Sequence, residues 1–248
     1  MKHFIEVDAP VSFQPPAAGS LPPAVCLLSG GIDSPVASWM MMRSGVRVEL
    51  VHFHSYPFSC SSAIEKAREL ASVLLPLQGG GNLNLVPFLS VQESIFRNTA
   101  NNLRIVMYRR AMARIAERIA EESGAAFIVT GDSLGQVSSQ TLPNISTVEQ
   151  SVRMPILRPL IGFDKTEIID IAKSIGTFDI SIRPHEDCCT LFSIGNPATR
   201  TEAARVEAEE GKFDFQPLVE AAVKGREVVH YGQAAVAEYP QPAPGAHD

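Results

Sequence analysis

The segment with the clearest chemical potential is Ser29-Gly30-Gly31-Ile32-Asp33-Ser34, which follows a short apolar run and precedes a helical pattern. Its adjacent glycines allow the backbone to approach a ligand closely and to adopt positive φ angles. The free N–H groups at the start of a helix favour an anion, above all a phosphate. A glycine turn that only joins strand to helix is the simpler alternative for the glycine pair alone. The chain contains no GxxxxGK[ST] and no GxGxxG, so a Walker A loop and a dinucleotide fingerprint are excluded.

Asp33 is the charged residue of this segment. Ser34 fits the N-cap of the following helix and Pro35 fits its first position, so Asp33 is not needed as the cap. A carboxylate beside a triphosphate is typical of magnesium sites, because Mg²⁺ prefers carboxylate and phosphate oxygens. We therefore expect Asp33 to bind a metal or to orient phosphate.

The four cysteines are Cys26, Cys60, Cys188 and Cys189. The adjacent pair fits neither a common disulfide framework nor the CxxC spacing of zinc sites, so we expect thiols and no zinc. Cys26 lies inside a predicted strand and is expected in the core. Cys188 lies in the polar stretch 186–190, where a thiol would be accessible and reactive; a buried, inert thiol is the simpler alternative.

The composition is that of a globular protein, with 45% hydrophobic and 19% charged residues among 248. No run of eighteen or more apolar residues occurs, and the N-terminus lacks the apolar region of a secretory signal. We therefore expect no membrane contact and a cytoplasmic location. The net charge of −6 argues against a protein that binds nucleic acid over its whole surface.

One predicted helix, residues 103–123, concentrates positive charge. It carries Arg104, Arg109, Arg110, Arg114 and Arg118. The last three share one face, since they are spaced four residues apart. We expect a solvated face balanced by Glu117, Glu121 and Glu122. Contact with RNA phosphates is the alternative, and such binding would be weak and strongly salt-sensitive without help.

Apolar runs alternate with helical patterns along most of the chain, which predicts an α/β fold with a doubly wound parallel sheet. Strands are predicted at 24–28, 46–53, 83–88 and 126–130, and helices at 34–43, 63–75, 103–123, 164–175 and 202–210. Asp164 and Glu167 are spaced as a capping box at the start of one helix. Ligands are expected at the carboxyl ends of the strands.

The Pro- and Ala-rich segments define the expected domain limits. Residues 1–23 are predicted to be an extended N-terminal arm, and residues 24–215 the folded domain. Residues 216–248 are predicted to be a C-terminal extension that is partly disordered, because the sequence from Tyr239 is YPQPAPGAHD.

Several motifs together resemble one family. The loop 29–34 matches SGGxDS, the PP-loop signature of ATP pyrophosphatases, and Gly131–Leu142 (GDSLGQVSSQTL) resembles the tRNA 4-thiouridine synthetases, also called tRNA sulfurtransferases. The likeness continues in the same order through Arg158–Ile161, Asp164-Lys165, Ile175–Thr177, Ile182–Pro184 and Glu186–Thr190. It covers roughly Ala24 to Phe215 and implies the three-layer sandwich of adenine nucleotide alpha hydrolase-like (HUP, PP-loop) domains.

The resemblance implies an ATP site and a sulfur-carrying cysteine. Its implied ATP contacts are Leu27, Leu28, Ser29, Gly30, Gly31, Asp33, Ser34, His52, Phe53, Arg109, Gly131 and Gln140. From its own surroundings, Arg109 would be assigned to the solvated face of a helix. Cys188 aligns with the cysteine that takes part in sulfur transfer, and we expect Asp33 to share the catalytic role.

The activity implied is that of an ATP-dependent sulfurtransferase. A uridine of tRNA would be adenylated with release of pyrophosphate, and a persulfide on Cys188 would then supply sulfur and displace AMP, which gives 4-thiouridine. ATP and Mg²⁺ are the implied cofactors, and a cysteine desulfurase is the implied sulfur donor. The family is also linked to sulfur supply for the thiazole of thiamine.

The sequence departs from the family before the PP-loop. Typical members carry a ferredoxin-like region and a THUMP RNA-binding domain there, whereas this sequence has about two dozen residues. We expect tRNA to be held through a separate THUMP-containing partner; a homodimer is a further expected state. Two alternatives stay open: adenylation of a small molecule or carrier protein, and a nucleotide-binding or sulfur-relay module without catalysis.

Overall fold

A computed structural model describes residues 21–58, 61–184 and 197–232. Cys60, Cys188 and Cys189 lie outside these ranges, so the predictions made for them stay predictions. The same holds for residues 1–20 of the predicted arm and for residues 233–248.

The described residues form one six-stranded sheet with the strand order β5-β4-β1-β2-β3-β6. Its strands are β1 (Leu21–Leu27), β2 (Val46–His54), β3 (Gly81–Pro87), β4 (Phe127–Val129), β5 (Ile156–Leu157) and β6 (Glu227–Tyr231). All neighbouring pairs are parallel except β3 with β6, which is antiparallel. The order reverses at β1, so the two halves of the chain wind outwards from the centre of the sheet, as a doubly wound fold requires.

The helices connect these strands. They are α1 (Asp33–Arg43), α2 (Ser62–Leu74), α3 (Leu89–Asn98), α4 (Arg104–Ser123), α5 (Leu142–Glu149), α6 (Lys165–Ser174), α7 (Phe178–Ser181), α8 (Ala203–Glu210) and α9 (Gln216–Lys224). No helix of the described ranges is long and apolar enough to cross a membrane.

The central strands feed two hydrophobic cores, one on each face of the sheet. In β1, Val25 packs with α3, α4 and α9, whereas Ala24 and Cys26 pack with α1, α2 and α6. Successive side chains of a strand point to opposite faces, so a run that is apolar throughout is buried on both sides. This arrangement confirms the predicted three-layer α/β fold and the core position of Cys26, which is 1% exposed.

The helix starts give one confirmed prediction and one correction. Asp164 accepts a hydrogen bond from the backbone N–H of Glu167, and the Glu167 side chain returns one, so the capping box is present. Ser34, predicted as an N-cap, lies inside α1, which begins at Asp33. The prediction was wrong because the Ser34 hydroxyl accepts from the backbone N–H of Ser29 and thereby closes the loop.

The arginine face of α4, which was predicted to be solvated, is the second feature that the structure corrects. Arg110 is only 1% exposed, and both Arg110 and Arg114 form paired hydrogen bonds with the carboxylate of Glu210 on α8. The predicted solvated face was wrong for these two residues because α8 covers them and supplies their counter-charge. Because Arg110 is buried, it is not accessible to RNA phosphates.

The C-terminal part of the described chain completes the sheet. Helix α9 contacts α4 and α3, and β6 pairs with β3 from Gly81 to Leu85. β6 was not predicted, because its sequence Glu-Val-Val-His-Tyr mixes apolar and polar residues, as an edge strand permits. Similarly, β5 is only two residues long and leaves little pattern to detect.

Candidate functional site

A cavity of about 240 Å³ opens at the carboxyl ends of β1, β2 and β4. Ligands of open α/β sheets bind at this edge, next to the strand where the order reverses. Its walls are formed by Leu27, Leu28, Ser29, Asp33, Ser34, Val51, His52, Phe53, His54, Ala63, Ile105, Arg109, Met112, Thr130, Gly131, Asp132, Val137, Ser139 and Gln140. The lining of the cavity is mixed, with apolar residues at the strand ends and charged or amide side chains opposite them.

The phosphate-binding candidate is the loop between β1 and α1. Ser34 is 4% exposed, and its hydroxyl lies 2.9 Å from the backbone nitrogen of Ser29 and 3.1 Å from the Ser29 hydroxyl. Gly30 has a φ angle of 82°, which a residue with a side chain rarely adopts. These contacts fold the loop back onto the start of α1, where the first helical N–H groups lack acceptors within the helix. The loop is therefore shaped to hold an anion.

Gly131 fixes the end of β4 against this loop. A Cβ atom at Gly131 would lie 2.7 Å from the backbone nitrogen of Ser34 and 2.9 Å from the carbonyl carbon of Asp33. Such distances are too short for real contacts, so glycine is required by close backbone approach rather than by a positive φ angle. The segment that follows β4 thereby keeps a fixed position relative to the loop.

A buried ion pair forms the opposite wall. Arg109 of α4 hydrogen bonds to the carboxylate of Asp132 and also donates to Ser139, whose hydroxyl is 3.2 Å away. Burial raises the pKa of Asp132, but the charge and hydrogen bond of Arg109, the hydrogen bond of the Thr130 hydroxyl and the charge of Arg158 outweigh it and hold the pKa below its usual value. Asp132 is therefore ionised at neutral pH.

Two polar atoms of the wall lack a hydrogen-bond partner within the described ranges. They are the side-chain oxygen of Gln140 and Nδ1 of His54, both buried. A buried acceptor without a partner is costly, and a ligand with N–H or O–H groups can supply the missing hydrogen bond. Burial also lowers the pKa of His54 and outweighs the charge of Glu227, which acts in the opposite direction. The lowered pKa favours the neutral imidazole. Both features suit a nucleoside.

Asp33 contacts a cation of the protein itself. Its Oδ1 lies 2.5 Å from Nζ of Lys165, at the first position of α6. In the described part of the chain, no three His, Cys, Asp or Glu side chains gather into a metal site. A single carboxylate nevertheless fits Mg²⁺, which is usually held by one or two carboxylates together with substrate phosphates and water.

The structure brings together most of the residues that the sequence analysis selected as ATP contacts. Ten of them line the cavity: Leu27, Leu28, Ser29, Asp33, Ser34, His52, Phe53, Arg109, Gly131 and Gln140. Gly30 and Gly31 belong to the adjoining loop and do not line the cavity. Their role as ATP ligands stays a prediction, as does that of Cys188.

Three charged residues of this region were not predicted to belong to the site. Asp132 and Arg158 belong to segments quoted for the family likeness, but neither was given a role, and the same is true of Lys165. A signal was available for Asp132, which comes shortly after a predicted strand, and for Lys165, which lies at the start of a predicted helix, but not for Arg158, because β5 was not predicted. What the sequence did not reveal is that Arg158 and Asp132 come within 3.4 Å of each other.

The fold resembles that of two solved structures. In a crystal structure of a 4-thiouridine synthetase–RNA complex with bound ATP, the matching region is 43% identical and superposes with a TM-score of 0.82. The match covers 86% of this chain and 56% of that one, so this chain spans little more than half the length of its relative. An NMN synthetase from Francisella tularensis, 16% identical, matches over 83% of this chain and 76% of its own length with a TM-score of 0.53, and shares the fold.

The family described as thiamine biosynthesis protein (ThiI) matches residues 19–215, which contain the loop, the cavity walls and the segment of Cys188. This span is well over half of the 248 residues. The chain therefore belongs to the thiamine biosynthesis protein (ThiI) family.

Proposed function

We propose that the protein is an ATP-dependent tRNA sulfurtransferase that converts a uridine to 4-thiouridine and forms AMP and pyrophosphate. One observation carries the proposal. The SGGIDS loop, Gly131 and Arg109 surround one cavity, in a chain that is 43% identical to a 4-thiouridine synthetase crystallised with RNA and ATP.

In the first step, the uridine O4 attacks the α-phosphorus of ATP and pyrophosphate leaves. The loop after β1 holds the phosphates through its N–H groups, and Arg109 adds a positive charge from the opposite wall. Asp33 would hold Mg²⁺ together with phosphate oxygens, and the ion would offset the charge that develops on the leaving pyrophosphate. Lys165 lies beside Asp33 and is placed to orient its carboxylate.

In the second step, the terminal sulfur of a persulfide on Cys188 attacks C4 and AMP leaves. The new sulfur is then joined to Cys188 by an S–S bond. A second thiol attacks the Cys188 sulfur, which releases 4-thiouridine and leaves a disulfide between Cys188 and that thiol; an external dithiol then reduces this disulfide. A cysteine desulfurase supplies the persulfide, and the same sulfur could serve the thiazole of thiamine. Because this chemistry needs free thiols, we assign it to the cytoplasm.

Recognition of tRNA is the part that most needs a partner. The net charge is −6, so tRNA binding by this chain alone should be weak at physiological salt. We propose that a separate THUMP-containing protein, or a second copy of this chain, adds to the RNA contact. Adenylation of a small molecule or a carrier protein is the alternative that this weakness leaves open.

The test is a reconstituted reaction with the purified chain, a cysteine desulfurase, cysteine, ATP, Mg²⁺ and unmodified tRNA at low salt. Formation of 4-thiouridine together with AMP supports the proposal. AMP formation with a metabolite or carrier protein in place of tRNA would support the alternative. If neither AMP nor 4-thiouridine forms with tRNA, even after a THUMP-containing protein is added, the proposal fails.

The step assigned to the cysteine needs its own variant. Cys188→Ala should keep tRNA-dependent AMP formation and lose 4-thiouridine, since only the second step uses the thiol. Cys26→Ala is the matched control, because Cys26 is buried and its pKa is raised to about 12, so that thiol is inert. Full activity of Cys188→Ala would refute the persulfide role.

A further inference from the structure

Asp132 is a buried carboxylate inside a site proposed to bind a polyanion. It is 5% exposed and lies three residues after the last residue of β4. One of its oxygens accepts from Arg109, and the other accepts from the Thr130 hydroxyl at 2.8 Å. A negative charge at this place would by itself repel phosphate and would cancel the charge of Arg109.

Arg158 supplies a second positive charge next to Asp132. Its Nε lies 3.4 Å from the second oxygen of Asp132, and its side chain is only 10% exposed. Its remaining contacts are to the Ile156 carbonyl oxygen at 3.0 Å and to Glu149 at 2.9 Å. Because the Glu149 side chain is 48% exposed, water screens its charge far more than that of Asp132. Counted on these three side chains alone, the buried group of Arg109, Arg158 and Asp132 has a formal charge of +1.

The position of that charge relative to the cavity follows from the contacts of Arg109. Its guanidinium is held by Asp132 on one side and by the Ser139 carbonyl and hydroxyl oxygens, at 3.3 and 3.2 Å, on the other. Arg109 lines the large cavity, whereas Arg158 lies behind it and lines only a smaller cavity beneath. Gly131 ties Asp132 to the phosphate loop, so the position of Arg109 relative to that loop is set by Asp132.

We propose that Asp132 and Arg158 are positioning residues: Asp132 orients Arg109 towards the nucleotide phosphates, and Arg158 offsets Asp132 so that Arg109 keeps its positive charge for them. The inference rests on the proposed function only in taking ATP as the ligand. It is independent of the acceptor and of the sulfur-transfer step.

Equilibrium binding of ATP and of adenosine to the full chain separates this role from a purely structural one. Arg158→Gln keeps hydrogen-bond donors and removes the charge, so the group becomes neutral. The Kd for ATP should rise roughly tenfold, while the Kd for adenosine, which has no phosphate, should stay within about twofold. Equal weakening of both ligands would overturn the proposal.

The decisive measurement is the double variant Asp132→Asn with Arg158→Gln. It restores the net charge of the group, and the amide oxygen that takes the place of the carboxylate can still accept the hydrogen bond that orients Arg109, so the Kd for ATP should recover to within about threefold of wild type. Purely structural roles predict that the double variant binds ATP no better than Arg158→Gln, and that result would contradict the inference. If Arg158→Gln does not fold, Arg158→Lys, which keeps the charge, should bind ATP within about threefold of wild type, and a tenfold loss would overturn the proposal.

The outcome is distinguishable from failure of the proposed function. Wild-type protein that binds ATP but makes no 4-thiouridine would refute the sulfurtransferase assignment and leave the charge test intact. Wild-type protein that binds ATP no more tightly than adenosine would refute this inference directly.

Discussion

Arg109 and Arg110 are neighbours on α4, yet they serve two different regions of the molecule. Arg109 points into the cavity, where Asp132 and Ser139 hold it. Arg110 points between α4 and α8, where Glu210 binds it through two hydrogen bonds of 2.7 and 2.9 Å. One arginine–carboxylate group faces a space for a ligand, and the other is closed by protein on all described sides.

Each carboxylate has two arginine partners, so the difference lies in where the guanidinium groups are placed. Around Glu210, the hydrogen bonds of Arg110 and Arg114 fill both oxygens of one carboxylate, and the product is a helix–helix connection. Around Asp132, a similar pair of arginines leaves one guanidinium in a cavity wall. Substitutions in the Glu210 group should therefore change stability without changing ligand binding. Substitutions around the cavity should change ligand binding more than stability.

The largest effect should come from Glu210→Gln. It leaves two partly buried guanidinium groups without their counter-charge, which typically costs about 3–5 kcal/mol of unfolding free energy. The Kd for ATP should not change. Urea unfolding and ATP titration measure the two properties, and Glu207→Gln, at an exposed position on the same helix, is the control with an expected change within about 0.5 kcal/mol. A stable Glu210→Gln protein with weakened ATP binding would reverse the comparison.

Asp33→Asn should give the reverse pattern. The Asp33–Lys165 pair is partly exposed, with 21% and 45% of the two side chains accessible, so stability should change by less than about 1 kcal/mol. Pyrophosphate release should fall at least about a hundredfold, or ~2.7 kcal/mol in the barrier, because the proposed metal ligand is lost. Asp170→Asn, on the exposed face of α6, should release pyrophosphate at the wild-type rate. Near-normal release by Asp33→Asn would remove Asp33 from the catalytic machinery.

Gly131→Ala should affect both properties at once. The added Cβ would meet the backbone of Ser34 at 2.7 Å, so the loop or the end of β4 must shift. We expect a loss of about 1–3 kcal/mol in stability and weaker ATP binding by about tenfold. Gly162→Ala is the control, since a Cβ there meets nothing within 4 Å. Unchanged ATP binding by Gly131→Ala would show that the loop does not depend on this contact.

Acid should weaken the Glu210 group in a predictable direction. Burial raises the pKa of Glu210, but hydrogen bonds from Arg110 and Arg114 outweigh it and hold the pKa below its ordinary value of 4.5. The ionised form is therefore favoured by folding. Its contribution is fully present above pH 4.5 and is lost as the pH falls through the lower folded value. The stability difference between wild type and Glu210→Gln, followed by urea unfolding, should shrink over that range, and a difference that grows in acid would contradict the assignment.

Arg118→Gln should have the smallest effect. Arg118 shares the helix face of Arg110 and Arg114, but its partner Glu121 is exposed and its partner Glu220 is partly exposed. Water and salt screen such pairs, so the urea midpoint should stay within experimental error. A clear loss of stability would mean that the face is more closed than its exposure indicates.

Local patterns were enough for the elements that carry the site. The glycine pair after a buried strand predicted the loop, and the Asp164 and Glu167 spacing predicted the start of α6. Both features depend on residues a few positions apart, whose geometry the backbone fixes. The prediction of a solvated arginine face was wrong because it depended on a distant residue: Glu210 lies 100 residues from Arg110 along the chain.

The sequence by itself determined the fold class, the position of the candidate phosphate loop and the residues expected around a nucleotide, because periodicity, glycine placement and motif order are properties of the chain. The tertiary structure alone decided which arginine meets which carboxylate, because those pairs join separate elements and depend on burial. It placed Arg109 in the cavity and Arg110 in the protein interior, and it set Arg158 behind Asp132. The net charge of a buried group is a property of packing, and no local pattern encodes it.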